Sequence, residues 1–328
     1  MTTKQTAAAQ RYAMDAEGNP PAAALEFQAN TLPELRTLTL FSWNLWHGGR
    51  EIDDAVEKQA AVLEAEDADI VFLQECFGNA AVRIGRNAGM TVAQQDYDCA
   101  VLSPSPVRVL PTDTASYATA ALVQTRMGEV LCWSVHLTPW DYGPYRAEDF
   151  PENASEVFAQ SGERARTAEA EKILEETRRL RAEHGEVPVI VAGDFNVPSS
   201  LDWTGGHRPE AAWPATQKLM DAGYTDAFRT AYPDPAAAPG LTWSQIEPLE
   251  KEPRDRIDFI FTKGLDVVLS DHLGGAADDA DTAQDAGFTE YGGPRQHIPD
   301  QRSNAFPSDH LAVRATLRRP TDHPPETP

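Results

Sequence analysis

Residues 187–200 read Val-Pro-Val-Ile-Val-Ala-Gly-Asp-Phe-Asn-Val-Pro-Ser-Ser. The run from Val187 to Ala192 is unbroken by polar residues, which predicts a fully buried strand. Gly193 ends it, Asp194 and Asn196 follow one residue apart, and Pro198 forbids further ladder pairing. A carboxylate and a carboxamide at the end of a buried strand sit where α/β sheets place their chemistry. Asp and Asn also end strands simply because they tolerate turns, so this stretch alone leaves both readings open.

The same device recurs along the chain. Thr37 to Trp46 alternates at first and delivers Asn44, ahead of His47-Gly48-Gly49-Arg50. Ile70 to Leu73 is an apolar strand ending in Gln74-Glu75. Val130 to Leu137 delivers His136, Arg256 to Phe261 carries Asp258, and Ser308-Asp309-His310 precedes a final strand, Leu311 to Leu317. Ala100 to Leu102, Val107 to Leu110 and Ala118 to Thr125 also read as strands. Helical spacing covers Ile52 to Glu66, with Ile52, Val56, Ala60 and Leu63 on one face. Shorter helices are predicted around Asn79–Ala88 and Ala215–Ala222. The longest spans 162–184, with Ala165, Ala168, Ile173, Leu174 and Leu180 inward. A loop rich in aromatics and turn residues follows His136, from Thr138 through Trp140, Tyr142 and Tyr145 to Arg146, and reads as a binding loop rather than a connector.

Bulk properties narrow the function classes. The net charge of -23 over 328 residues repels polyanions unless a local basic groove or a metal compensates. Nucleic acid is therefore a permitted but not a favoured partner. Cys76, Cys99 and Cys132 lack metal-site spacing and sit in or beside apolar strands, which points to buried free thiols in a reducing, cytoplasmic setting. No basic-then-apolar leader opens the chain and no apolar run is long enough for a membrane span. The expected organisation is a partly ordered arm over 1–34, one domain over 35–318 and a disordered tail over 319–328.

Taken together, Asn44, Glu75, His136, Asp194, Asn196, Asp258, Asp309 and His310 all fall at or beside strand ends. Each type binds hard metals, moves protons or holds phosphate oxygens. Carboxylates without clustered Cys or His suggest Mg²⁺ or Mn²⁺ rather than zinc. In order, Trp43-Asn44, Leu73-Gln74-Glu75, Val135-His136-Leu137, Gly193-Asp194-Phe195-Asn196, Arg256-Ile257-Asp258-Phe259 and Ser308-Asp309-His310 resemble the endonuclease/exonuclease/phosphatase superfamily. That superfamily includes DNase I-like nucleases, abasic-site endonucleases, neutral sphingomyelinases and inositol-polyphosphate phosphatases.

The resemblance implies an α+β fold, a four-layer α/β/β/α sandwich of two mostly antiparallel sheets. It implies Glu75 as the principal metal ligand, with Asn44 beside it holding metal or phosphate and Asp309 completing the acidic cluster on the metal side. Asp194 would position or deprotonate the attacking water, and Asn196 would hold a phosphate oxygen. His310, held by Asp258, would contact the scissile phosphate, and His136 would be an acid for the leaving oxygen. Read from the residues alone, Asp258 also suits a surface pair with Arg254 or Arg256, and His136 a satisfied core position. Trp46, His47, Trp140, Tyr142, Tyr145 and Trp203 are expected in loops rimming the site, where they either stack on substrate or pack the loops. The reading that results is a metal-dependent phosphoesterase acting on a small or soluble ester. A nuclease is the first alternative, and a binding protein that kept the fold without catalysis is the second.

Overall fold

The computed structural model describes residues 37–320 except 207, 249–250, 253 and 277–284. The arm expected over 1–34 and all but two residues of the tail expected over 319–328 lie outside these. In chain order the strands are β1 (Thr37–Asn44), β2 (Ile70–Gln74), β3 (Thr91–Gln94), β4 (Ala100–Ser103), β5 (Val107–Leu110), β6 (Ala118–Thr125), β7 (Gly128–His136), β8 (Val189–Asp194), β9 (Thr225–Asp226), β10 (Asp258–Lys263), β11 (Asp266–Gly274), β12 (Phe288–Glu290) and β13 (Ala312–Arg318). They form two sheets, ordered β12-β11-β13-β1-β2-β4-β3 and β5-β6-β7-β8-β10-β9.

Alternation along each central strand explains the layering. On β1, Leu38 and Leu40 point into the seam between the sheets, where they meet Ile190, Ala192, Ile260 and Val313. Phe41 and Trp43 point the other way and pack with Leu63 of helix Ala55–Glu66 and Ile84 of helix Ala80–Asn87. On β8, Val189 and Val191 face helices Ser161–His184 and Pro214–Asp221, joining Ile173, Leu180 and Leu219. A strand covered on both faces has no polar side, which is why these runs read as continuously apolar. The result is the α/β/β/α sandwich.

Two parallel pairings put the chemistry on one edge. β1 runs beside β2 with Asn44 opposite Gln74. β7 runs beside β8 with His136 opposite Asp194. β10 runs antiparallel to β8 and sets Asp258 opposite Asp194. The remaining described pairings, apart from β11 with β12, are antiparallel. The sheets are tied near this edge by buried polar bonds. Gln74 Nε2 donates to Ser134 Oγ at 3.0 Å, and Ser134 Oγ donates to the Leu73 carbonyl at 2.9 Å.

The structure corrects several expectations. The helix expected from Ile52 starts at Ala55, because Asp54 adopts a left-handed conformation (φ 56°) that breaks the turn before it. In helix Ser161–His184, Ala168 is exposed, and the inward stripe runs Arg166, Ala170, Ile173, Leu174, Thr177, Leu180. A buried arginine displaced the stripe from the one that alanines suggested. β11 escaped notice because a register shift between Val267 and Leu269 disrupts its alternation.

Gly193 shows why the motif around Asp194 needs glycine. Its φ is +147°, and a Cβ there would lie 2.0 Å from the Val135 carbonyl oxygen of the adjacent strand. Gly193→Ala should therefore separate β7 from β8 at the end that carries His136 and Asp194. We expect a loss of ~2–4 kcal/mol in unfolding free energy by urea denaturation. A loss under ~0.5 kcal/mol would show that the strands can part at no cost.

Candidate active site

Asp194 is the hub of the edge. Its side chain is 1% exposed and lies at the end of β8. Oδ1 accepts the Asn196 amide N–H at 2.8 Å, and Oδ2 accepts Asn44 Nδ2 at 3.0 Å across the seam. Two imidazoles converge on the same Oδ2: His136 Nε2 at 3.8 Å and His310 Nε2 at 3.7 Å. Asn196 holds a left-handed φ of 51° and gives Nδ2 to the Leu137 carbonyl at 3.0 Å, so the turn after β8 is pinned to the end of β7.

Each imidazole is fixed from behind by its own carboxylate. His310 Nδ1 lies 2.9 Å from Asp258 Oδ2, and His136 Nδ1 lies 2.8 Å from Asp98 Oδ2. Asp258 thus sits buried against His310 rather than paired with Arg254 or Arg256, while Arg256 is taken by Asp202 and Asp226. Thr242 Oγ1 accepts the amides of Ile257 and Asp258 at 3.0 and 3.1 Å and sets the start of β10. Asp98 was missed in the sequence. Its Oδ1 also accepts the Glu75 amide at 2.8 Å, so it joins the His136 side of the site to the Glu75 side.

These contacts decide protonation. Burial pulls His136 down, but the hydrogen bond and charge of Asp98, then Asp194 and Glu75, outweigh it and raise its pKa to about 9. Burial likewise opposes charge on His310, yet Asp258, Asp309 and Asp194 lift it to about 10. Burial and the neighbouring Asp258 push Asp194 up to about 6, against the pull of the two imidazoles. Both shifts favour the protonated imidazole in the metal-free protein.

The Glu75 side has oxygen donors. Glu75 follows β2 with a left-handed φ of 55°. Its Oε1 accepts Asn44 Nδ2 at 3.2 Å, and its Oε2 accepts the His47 amide at 2.5 Å and lies 3.1 Å from His47 Nδ1. Asp309 Oδ2 accepts Trp243 Nε1 at 3.0 Å, while its Oδ1 is buried with no hydrogen-bond partner. Burial raises the Asp309 pKa, the His310 imidazole 4.0 Å from Oδ1 pulls against it, and the charge of Glu75 adds to the rise. A buried carboxylate oxygen without a donor, facing another carboxylate's field, fits a hard cation. Asn44 Oδ1 accepts the Trp46 amide at 2.9 Å and its Nδ2 donates to Glu75 and Asp194, so Asn44 ties the two carboxylates together. Among the described residues, one set of three donor atoms, on Asp194, Asp258 and His310, lies within 4.8 Å of one another. The same three residues are joined by the His310 Nδ1–Asp258 Oδ2 contact at 2.9 Å and the His310 Nε2–Asp194 Oδ2 approach at 3.7 Å.

Of the expected rim residues, His47, Trp140 and Tyr145 are exposed and Trp46 is half-buried. Tyr142 is buried, with its hydroxyl on Asp255 Oδ2 at 3.0 Å and its ring 6.0 Å from Trp243, which in turn packs 6.0 Å from His310. Trp203 is not at the rim. It is 2% exposed and packs at 5.0 Å on Trp213 and 5.4 Å on Phe150. Loop 138–143 is held from beneath by the buried Arg166, whose guanidinium donates to the carbonyls of Thr138, Trp140 and Asp141. Trp243 and Arg166 were not singled out in the sequence, and nothing in a lone Trp or a helical Arg distinguishes them there.

A sequence model of the endonuclease/exonuclease/phosphatase family matches residues 41–310, and the chain belongs to that family. An uncharacterised protein of Caenorhabditis elegans is 28% identical over 298 residues, covering 84% of this chain and 90% of that protein. A family member from Bacteroides thetaiotaomicron superposes with a TM-score of 0.54 at 16% identity, over 88% of this chain and 96% of that one. TDP2 of D. rerio complexed with single strand DNA product superposes with a TM-score of 0.50 at 16% identity, over 86% and 99%. These structural likenesses show the fold. The described residues include no helix long and apolar enough to cross a membrane, and the three cysteines are buried and unbonded.

The His136–Asp98 pair carries a pH signature. Its pKa of about 9 lies above the ordinary value near 6.5. The pair's stabilisation is therefore fully present below about pH 6.5 and is lost as pH rises through about 9. In EDTA, wild type should lose ~2–3 kcal/mol more unfolding free energy across that window than His136→Gln does. Chemical denaturation at stepped pH measures the difference. Parallel curves for the two proteins would contradict a charged His136.

Proposed function

We propose that the chain hydrolyses a phosphodiester or phosphomonoester of a small or soluble substrate, with Mg²⁺ or Mn²⁺ held by Glu75 and Asp309. The observation that carries this reading is the convergence of two carboxylate-backed imidazoles on Asp194, at 3.7 and 3.8 Å. In-line hydrolysis needs an oriented water, charge stabilisation at the non-bridging oxygens and a proton for the leaving alkoxide. Asp194, braced by Asn44 and the Asn196 amide, orients the water and draws on its proton. The His310 imidazolium, fixed by Asp258, donates to a non-bridging oxygen, and the second amide hydrogen of Asn196 does the same. The His136 imidazolium, fixed by Asp98, gives its proton to the leaving oxygen. A divalent cation, when bound, supplies charge neutralisation at the phosphate.

A nuclease is the second reading, and a structure of TDP2 holding a single strand DNA product favours it. The net charge of -23 weighs against long polyanions. Short or single-stranded esters remain compatible with both.

Hydrolysis of bis(p-nitrophenyl) phosphate and p-nitrophenyl phosphate with Mg²⁺, Mn²⁺ or EDTA tests the proposal. Wild type should turn over at least one of them with metal, and EDTA should abolish it. His310→Ala and Asp194→Asn should each lower kcat by about 100-fold or more. Turnover that survives either substitution would remove the assigned roles. A wild type that is inactive with every metal and fails to bind any by calorimetry would remove the proposal itself.

A further inference from the structure

A row of aromatic rings leads outward from Glu75. The His47 ring, whose Nδ1 is 3.1 Å from Glu75 Oε2, stacks on Phe77 with centroids 6.3 Å apart and planes 21° apart. Phe77 meets Tyr97 at 5.7 Å. The row is left in water: the His47 side chain is 52% exposed and Tyr97 61%. Phe77 is half-buried.

The backbone beneath the row is unusual. Trp46, His47, Glu75 and Asn79 all hold left-handed φ values, between 50° and 63°, which non-glycine residues adopt at a cost. The two turns that carry them interlock. A Cβ on Gly48 would lie 2.3 Å from the Phe77 carbonyl oxygen, so only glycine lets them approach this closely. The conformation presents the His47 ring to Phe77 and its Nδ1 to Glu75 at once. Surface aromatics scattered singly need no explanation. Three in contact, on strained turns, continuous with a site carboxylate, do.

Electrostatics sharpens the point. A chain of net charge -23 attracts a phosphate-bearing ligand poorly at long range. Phe77 and Tyr97 are neutral, and stacking on a ring face does not depend on the ligand's charge. Affinity on this side of the site then comes from ring contact rather than from a basic groove.

We propose that His47, Phe77 and Tyr97 form a stacking platform for a planar group carried by the substrate beside its phosphate, with a nucleobase as the chemical class. The proposal rests on the phosphoesterase reading of the Asp194 site for its orientation, and its test does not require turnover. Thymidine 5′-monophosphate and deoxyribose 5-phosphate present the same phosphate and sugar with and without a base. Calorimetry on the full chain in EDTA should find the nucleotide bound about tenfold more tightly. Tyr97→Leu should bring the two affinities within about twofold, and Tyr97→Phe should keep the preference, because the ring and not the hydroxyl is used. Position 97 is exposed, so these variants are expected to fold, which circular dichroism would verify.

No preference in wild type, no measurable binding of either phosphate, or a preference that Tyr97→Leu leaves intact would each overturn the platform. Hydrolysis of bis(p-nitrophenyl) phosphate by wild type reports separately on the catalytic reading. An active enzyme without the base preference loses the platform and keeps the phosphoesterase. A base preference that follows the ring at position 97 in a protein that is inactive with every metal and binds none keeps the platform and loses the phosphoesterase.

Discussion

The edge of this molecule depends on one buried carboxylate. Asp194 lies at the seam between the sheets, and burial works against its charge. What offsets that cost is a fixed set of partners: Asn44 from one sheet, the Asn196 amide, and two imidazoles. Each imidazole has a carboxylate behind it, Asp98 or Asp258, which favours its charged form against burial. The partners come from β1, the loop before β4, the end of β7, β10 and the turn before β13. The two parallel registers and the antiparallel β8–β10 register are what bring those ends together. Breaking a buried charge pair typically costs about 3–5 kcal/mol. Substitutions here are therefore folding mutations, and stability must be measured alongside any rate.

The same charges do not balance. Five carboxylates, Glu75, Asp98, Asp194, Asp258 and Asp309, face three imidazoles, those of His47, His136 and His310, among the described residues. The excess is negative and poorly solvated. The upward shifts at Asp194 and Asp309 are its local expression. A surplus of this kind is unfavourable for a protein with nothing to bind and useful for one that must attract a small hard ion into a crowd of oxygens.

Much of this was legible in the sequence because chemistry-bearing residues stood where apolar runs ended. Asn44, Glu75, His136 and Asp194 each close a strand that must be buried, and the order of the motifs pointed to the family before any coordinates. What was not legible depended on which way side chains turn. Asp98 is one of 51 acidic residues, and nothing local sets it apart until the chain folds it behind His136. Trp203 has the same composition-level signature as Trp140, yet the first is buried among Phe150 and Trp213 and the second is exposed. An amide has two ends, and only the fold shows that the Asn44 nitrogen faces Glu75 and Asp194 while its oxygen takes the Trp46 amide.

Arg166 shows how far the site's requirements reach into the fold. A helix packed on a sheet has every reason to fill its inner stripe with leucine and alanine. This one instead buries a guanidinium beside Glu163 and aims it at three carbonyls of loop 138–143. Glu163 also accepts the Gly143 amide at 3.1 Å, and Glu169 accepts both the amide and the hydroxyl of Thr138. The loop runs from His136 to Tyr142, whose ring leans on Trp243 and through it on His310. A free loop in that place would let the rim wander and would have to be ordered at each binding event. Satisfying its backbone from beneath removes that cost in advance, at the expense of the apolar packing the helix would otherwise make. The helix interior is polar at that point because the loop above it has three carbonyls there that need donors.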